Sequence, residues 1–171
     1  MPRKFFKRFM PNHRQVKEHK YLQIFGDALH EPNLWHINRR SMAGAFAVGL
    51  FFAWVPMPSQ MVMAAAAAIA FRTNLALSVA LVWITNPVTI TPMFYFAYLV
   101  GTWVIGTPPQ DFEFELSFSW LTGELASSWK PFLTGCLILA TASSLLGYLA
   151  VSQFWVYAVR KQRSRRQGKS Q

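Results

Sequence analysis

The chain is organised around two breaks in one apolar tract, which read Trp54-Val55-Pro56-Met57-Pro58-Ser59-Gln60 and Trp83-Ile84-Thr85-Asn86-Pro87-Val88-Thr89-Ile90-Thr91-Pro92. The segment before the first break, residues 42–55, gives roughly 21 Å of helix, which is short of the roughly 30 Å of hydrocarbon in a bilayer. Proline removes an N–H donor and disfavours helical geometry at the residue before it. We therefore predict either a re-entrant hairpin of two half-helices or one strongly kinked span, and we favour the hairpin.

The second half of the tract repeats the design of the first. Residues 75–85 and 88–105 are apolar, Asn86-Pro87 and Pro92 are the expected breakers, and Phe71-Arg72-Thr73-Asn74 separates the halves. The tryptophans that precede the two breaks are 29 positions apart. Paired broken helices are typical of transporters with a site near the bilayer midplane. Two unrelated proline breaks are the alternative interpretation.

Composition and charge predict a membrane protein. Of its 171 residues 53% are apolar and only 14% are charged, more apolar surface than a small soluble domain can bury. Residues 1–40 carry nine Lys/Arg against three acids, and residues 160–171 carry six Lys/Arg and no acid. Basic segments that flank apolar runs follow the positive-inside rule. We predict an all-α, multi-pass integral membrane protein of the bacterial inner membrane, with Pro-broken hairpins, a C-terminal transmembrane helix and both termini in the cytoplasm.

This interpretation divides the chain into five parts. Residues 1–40 form a basic, interfacial amphipathic segment with helices over 3–10 and 11–30; a disordered basic tail is the alternative at 3–10. Residues 41–106 form the twice-broken membrane tract. Residues 107–130 form an acidic periplasmic loop, in which the period-two pattern at 111–120 predicts an extended segment. Ser119 is the expected cap of a short helix that follows, with Leu121, Leu125 and Trp129 on its inner face. Pro131 suits the first position of a transmembrane helix over 131–159, and residues 160–171 are a basic tail. We expect one re-entrant hairpin and crossings by residues 75–105 and 132–159; four crossings are the alternative.

The distribution of charge and the motifs in the sequence limit the partners and reactions that we predict for the protein. Charge confined to two tails beside apolar runs argues against nucleic-acid binding and for contact of the tails with anionic lipid. No nucleophile, phosphate-loop or metal-ligand motif is present, so we predict neither an enzyme nor a cofactor or metal. The lone Cys136 lies in an apolar run and is expected to be buried and inert. Two or three spans cannot enclose a cavity, which predicts a homo-oligomer.

The candidate polar membrane site consists of the polar residues at the breaks and at the turn between them: Gln60, Arg72, Asn74, Thr85, Asn86, Thr89 and Thr91. In one interpretation these side chains only satisfy backbone groups that the prolines leave without partners. In the other they line a polar cavity together with half-helix ends. Arg72 is either a functional charge inside the membrane or an anchor at the cytoplasmic surface.

A combination of short motifs connects the chain to a family. The motifs are Leu34-Trp35-x-x-Asn38-Arg39-Arg40-Ser41, Pro56-x-Pro58-x-Gln60, Arg72-x-Asn74, Trp83-Ile84-x-Asn86-Pro87-x-Thr89 and Phe94-Tyr95-x-x-Tyr98-x-x-Gly101. Over residues 20–158 the sequence resembles the bacterial family catalogued as domain of unknown function 2062. The resemblance implies an integral inner-membrane protein of Gram-negative-type bacteria, and some relatives carry the domain beside a glycosyltransferase. It assigns no reaction and no catalytic residue.

Two functions follow from the sequence. In the first, the broken helices form a polar site that handles a lipid headgroup or a small solute from the cytoplasmic leaflet. In the second, the protein is a non-catalytic scaffold or assembly partner of envelope machinery, such as glycosyltransferase-linked machinery, and its breaks are purely structural.

Overall fold

The computed structural model describes residue 34, residues 37–107 and residues 118–167, with side chains of the last range described over 129–161. These residues form five α-helices and no β-strand. They are α1 (Arg39–Ala53), α2 (Gln60–Ala70), α3 (Leu75–Val82), α4 (Ile90–Ile105) and α5 (Phe118–Gln167). The predicted all-α class is confirmed for this part of the chain, and the ends of α1–α4 lie within three residues of the predicted apolar segments. The predicted helices over 3–10 and 11–30 lie outside the described residues.

The two breaks are non-helical linkers, residues 54–59 and 83–89. Pro56, Pro58 and Pro87 lie in these linkers, as expected for residues that cannot continue a helix. The prediction that Pro92 breaks the helix is wrong, because it is the third residue of α4. The first N–H groups of a helix have no intrahelical acceptor, so a proline there removes no hydrogen bond.

The fifth helix begins earlier than predicted. The prediction that Pro131 starts this helix is wrong, because α5 begins at Phe118 and carries Pro131 in its interior. Residues 118–130 are therefore helical, which confirms the helix predicted after Ser119, although it is continuous with the next helix and Ser119 is not its cap. The extended segment predicted for 111–120 is wrong at 118–120; residues 111–117 lie outside the described part. Leu121, Leu125 and Trp129 have helical spacing, and this periodicity continues through the proline.

One segment of α5 has the properties of a membrane span. Trp129–Lys161 has a mean hydropathy of 1.7, and it is the one helical segment in the described part that is long and apolar enough to cross a membrane. Only 22% of its apolar window is buried, and Leu137, Leu145 and Leu146 are exposed. The apolar helices α2 and α4 are shorter.

The other helices pack along α5. Residues of α1 and α3 surround Val151 and Trp155 of α5, and the Arg39 Nε donates a 3.1 Å hydrogen bond to Ser152 Oγ. Further along, α4 packs against Phe132 and Cys136, which is buried as predicted. The helices α2 and α3 pack on α1 through small and aliphatic side chains: Ala64, Ala65, Ala68, Leu75, Ala76 and Val79.

Two glycines bring α4 and α5 into backbone contact. A Cβ on Gly101 would lie 1.7 Å from the Pro131 carbonyl oxygen, and a Cβ on Gly135 would lie 1.7 Å from the Ala97 carbonyl oxygen. The contact is reciprocal, so both positions must lack a side chain. Small residues at a crossing let helices approach closely.

Candidate anion-binding pocket

Both breaks are tied to the C-terminal end of α1. With its amide nitrogen turned toward α1, Gln60 donates hydrogen bonds to the carbonyl oxygens of Phe52 at 3.2 Å and Val55 at 2.9 Å. From the second break, Thr85 Oγ1 donates to the carbonyl oxygen of Ala53. The last carbonyls of a helix need such partners when water does not reach them. The structure therefore brings Gln60 and Thr85 together at one helix end.

The remaining polar side chains of the second break bind their own backbone. Asn86 Oδ1 accepts hydrogen bonds from the N–H groups of Val88 at 2.9 Å and Thr89 at 3.1 Å. Thr89 Oγ1 donates to the carbonyl oxygen of Ile84 and accepts from the N–H of Asn86. Asn and Thr stabilise turns through such bonds. Thr91 lies in the first turn of α4 and is half-buried.

We call Gln60, Thr85, Asn86 and Thr89 the break cluster. Their described hydrogen bonds go to backbone groups, which agrees with the interpretation that these residues satisfy groups freed by proline. A ligand site at the breaks stays a prediction.

Arg72 lies at the opposite end of α2, in a Schellman turn. The N–H of Thr73 donates to the Ala68 carbonyl oxygen at 2.9 Å, and the N–H of Arg72 donates to the Ile69 carbonyl oxygen at 3.1 Å. Arg72 itself has φ 51°, the left-handed conformation that this position requires. Glycine is the usual residue there, because a Cβ is strained in this conformation.

The turn after α2 returns to the start of α1. Asn74 is fully buried, its Oδ1 accepts from the N–H of Leu77 at 3.0 Å to cap α3, and its own N–H donates to the Ser41 carbonyl oxygen at 3.3 Å. A Cβ on Gly44 would lie 2.4 Å from Thr73 Cγ2, so the glycine permits this approach. Asn38 caps α1 by accepting from the N–H of Ser41 at 2.8 Å.

A pocket of about 1000 Å³ opens beside this junction. We call it the arginine pocket, because Arg40 from α1 and Arg72 from the turn both line it. Its other lining residues come from α1, α2, the turn and α5: Asn38, Ser41, Gly44, Ala47, Val48, Phe51, Phe52, Ala67, Phe71, Thr73, Ser144 and Tyr148. Two guanidinium groups beside apolar side chains suit a ligand that is anionic at one end and apolar at the other.

Two buried polar atoms lie at the same junction. Ser41 Oγ and Asn74 Nδ2 have no hydrogen-bond partner among the described residues, and Ser41 also lines the pocket. Ser41 is 5% exposed and Asn74 is fully buried. Leaving a buried donor unsatisfied costs about 1–3 kcal/mol, so such atoms often mark a place where a ligand or water binds.

The arginine that the turn after α2 contributes to this pocket was predicted from the sequence, and the residues that the start of α1 contributes were not. Arg72 lines it and Asn74 anchors its turn, as members of the predicted site, whereas Gln60 and Thr85 lie at the far end of α1. Arg40 and Ser41 were missed. Both residues belong to the motif Asn38-Arg39-Arg40-Ser41 at the start of α1. Only the docking of the turn after α2 brings them beside Arg72.

The comparisons with known proteins identify the family. The sequence model described as an uncharacterised protein conserved in bacteria, DUF2062, matches residues 22–164. The chain belongs to the DUF2062 family. Every residue that lines the arginine pocket falls within the DUF2062 match. No curated protein and no solved structure matches the chain.

Proposed function

We propose that this DUF2062 protein spans the bacterial inner membrane with both termini in the cytoplasm and binds an anionic amphiphile at the arginine pocket. The exposed apolar face of α5 supports the membrane location, because the rest of the described protein does not cover it. The excess of Lys/Arg in both terminal segments supports the orientation.

The lengths of the shorter helices support a re-entrant arrangement. At 1.5 Å per residue, α1 and α2 are about 22 Å and about 17 Å long, too short to span the hydrocarbon. The hydrogen bond between Asn74 and Ser41 brings the end of α2 back to the start of α1. In the proposal, α1 and α2 enter and leave on the cytoplasmic side, and α3 and α4, with about 36 Å of helix between them, cross once.

The observation that carries the binding proposal is the composition of the arginine pocket. Arg40 and Arg72 are contributed by different elements, and Phe51, Phe52 and Ala67 line the same cavity. Guanidinium groups bind phosphate and carboxylate oxygens in pairs, and apolar side chains favour a hydrocarbon chain. A lipid headgroup of the cytoplasmic leaflet provides both parts.

The test is to count bound anionic phospholipid by native mass spectrometry after purification in a mild detergent. The double variant Arg40→Gln/Arg72→Gln is expected to lose the bound lipid. Arg160→Gln/Lys161→Gln is the matched control, because it removes the same charge from exposed residues outside the pocket, and it should keep the lipid. Equal lipid in both variants and the wild type would overturn the proposal.

The second candidate function, a membrane scaffold, is favoured by the break cluster. Its described side chains bind backbone groups, as expected if the breaks serve only to fold the tract. In this proposal the basic tails hold an envelope protein partner or anionic lipid, and self-association supplies the assembly. Removal of residues 160–171 should then abolish co-purification of the partner, whereas the Arg40→Gln/Arg72→Gln variant should retain it.

A further inference from the structure

We infer that the arginine pocket selects a lipid whose headgroup ends in a phosphomonoester over lipids with a phosphodiester headgroup. This inference rests on the proposed binding function and narrows its ligand. It is carried by the charge of the pocket, by the donors at its polar end and by the backbone conformation of Arg72.

The charge of the pocket matches a dianion. Arg72 is the only charged residue between Arg40 and Asp111, and none of the described residues that line the pocket is acidic. Arg40 also lies in the first turn of the 15-residue α1, where the helix dipole adds a partial positive charge. A phosphomonoester carries about −1.5 to −2 at neutral pH, against about −1 for a phosphodiester.

The donors at the polar end match terminal phosphate oxygens. A guanidinium binds two oxygens side by side, and a phosphodiester has only two free oxygens to share between both guanidinium groups. Ser41 Oγ adds a hydroxyl that is buried and has no partner among the described residues. A terminal phosphate has three free oxygens for these groups.

The backbone at Arg72 indicates that its side chain is needed there. At φ 51° an arginine is strained where glycine would not be, and the exposed Arg72 is one of the residues that line the pocket. Strain that persists at a surface turn points to a role for the side chain. The positive charge that it adds to the pocket, beside that of Arg40, is such a role.

The other end of the pocket distinguishes a lipid from a free phosphate. Ala47, Phe51 and Phe52 line the cavity beyond the N-terminal turn of α1 and offer no polar side-chain group. A soluble phosphate ester would leave these residues facing water. A lipid chain would cover them, so the inference commits to a lipid.

The experiment is competition binding to the full-length protein in mild detergent, followed by native mass spectrometry. Phosphatidic acid competes in separate arms with phosphatidylglycerol, phosphatidylethanolamine and glycerol 3-phosphate. We expect phosphatidic acid to be preferred over phosphatidylglycerol by about tenfold, the effect of one charge-assisted hydrogen bond. The preference should fall toward parity below about pH 6, where the phosphomonoester loses its second charge.

Variants of the two pocket arginines test whether their charge produces the preference for phosphatidic acid. Arg72→Gln and Arg40→Gln should each abolish the preference, Arg72→Lys should keep part of it, and Arg160→Gln should leave it unchanged. Equal binding of phosphatidic acid and phosphatidylglycerol to the wild type would overturn this inference and leave the proposed function standing. Lipid binding that stays unchanged in the Arg40→Gln/Arg72→Gln double variant would overturn both. Equally strong competition by glycerol 3-phosphate would show a soluble ligand and overturn the lipid assignment.

Discussion

The backbone N–H of Asn74 donates a 3.3 Å hydrogen bond to the carbonyl oxygen of Ser41. This bond joins the turn after α2 to the first turn of α1, two segments that are more than thirty positions apart in the sequence. It places Arg72 and Arg40 on one pocket. Some residues of this arrangement stabilise the fold and others line the pocket. Single substitutions can therefore change the stability of the protein and its lipid binding independently.

Arg72→Gly should make the protein more stable and weaken its lipid binding. Glycine relieves the strain of φ 51°, which is worth about 1 kcal/mol, while the loss of the guanidinium removes one half of the anion site. Unfolding in detergent followed by circular dichroism measures the first effect, and lipid retention measures the second. Reduced stability, or binding equal to that of the wild type, would contradict the assignment.

Gly101→Ala should separate α4 from α5. Its Cβ would meet the Pro131 carbonyl oxygen at 1.7 Å, and a backbone atom cannot move aside as a flexible side chain can. We expect a loss of about 3 kcal/mol in the free energy of unfolding. Gly106→Ala is the control: it has open space around it and φ 77°, so it should cost only about 1 kcal/mol. Equal losses would show that the crossing is looser than described.

Thr85→Val should destabilise the protein without affecting lipid binding. The substitution keeps the shape of the side chain but leaves the Ala53 carbonyl without the donor from the second break. A buried acceptor without a partner costs about 1–3 kcal/mol. Thr141→Val is the control, because its hydroxyl bonds within α5 on an exposed surface. Loss of lipid binding by Thr85→Val at unchanged stability would place the lipid-binding site at the breaks and contradict this prediction.

Cysteine accessibility tests the proposed topology. In a Cys136→Ala background, a cysteine at position 72 should react with a membrane-impermeant maleimide from the cytoplasmic side, and one at position 113 from the periplasmic side. A cysteine at position 60 or 86 should react slowly from either side, because both positions lie at the breaks. Reaction of positions 72 and 113 from the same side would exclude the proposed crossings.

Much of the fold was predictable because hydrophobic runs and prolines act locally. The spacing of apolar residues gave α1 to α4, and Pro56, Pro58 and Pro87 marked the linkers. The predictions for Pro92 and Pro131 were wrong for different reasons. Pro92 lies in the first turn of α4, where a proline removes no hydrogen bond. Pro131 lies inside α5, where one proline does not outweigh the helical periodicity on both sides of it.

The pocket was harder to predict because it depends on long-range docking. Arg72 was visible as an isolated charge, and Asn74 as a polar residue beside it. Arg40 and Ser41 look like an ordinary boundary between a basic segment and an apolar helix. Only the return of the Arg72 turn to α1, which Gly44 permits, makes them part of one site.

The most direct measurement of the central claim is photo-crosslinking with an anionic phospholipid that carries a diazirine on its acyl chain. The protein is crosslinked in nanodiscs, digested and sequenced by mass spectrometry. The proposal predicts adducts on the α1 and α2 peptides that contain Phe51 and Ala67, and predicts their loss in Arg40→Gln/Arg72→Gln but not in Arg160→Gln/Lys161→Gln. Adducts confined to the exposed leucine face of α5, or unchanged in the double arginine variant, would contradict it.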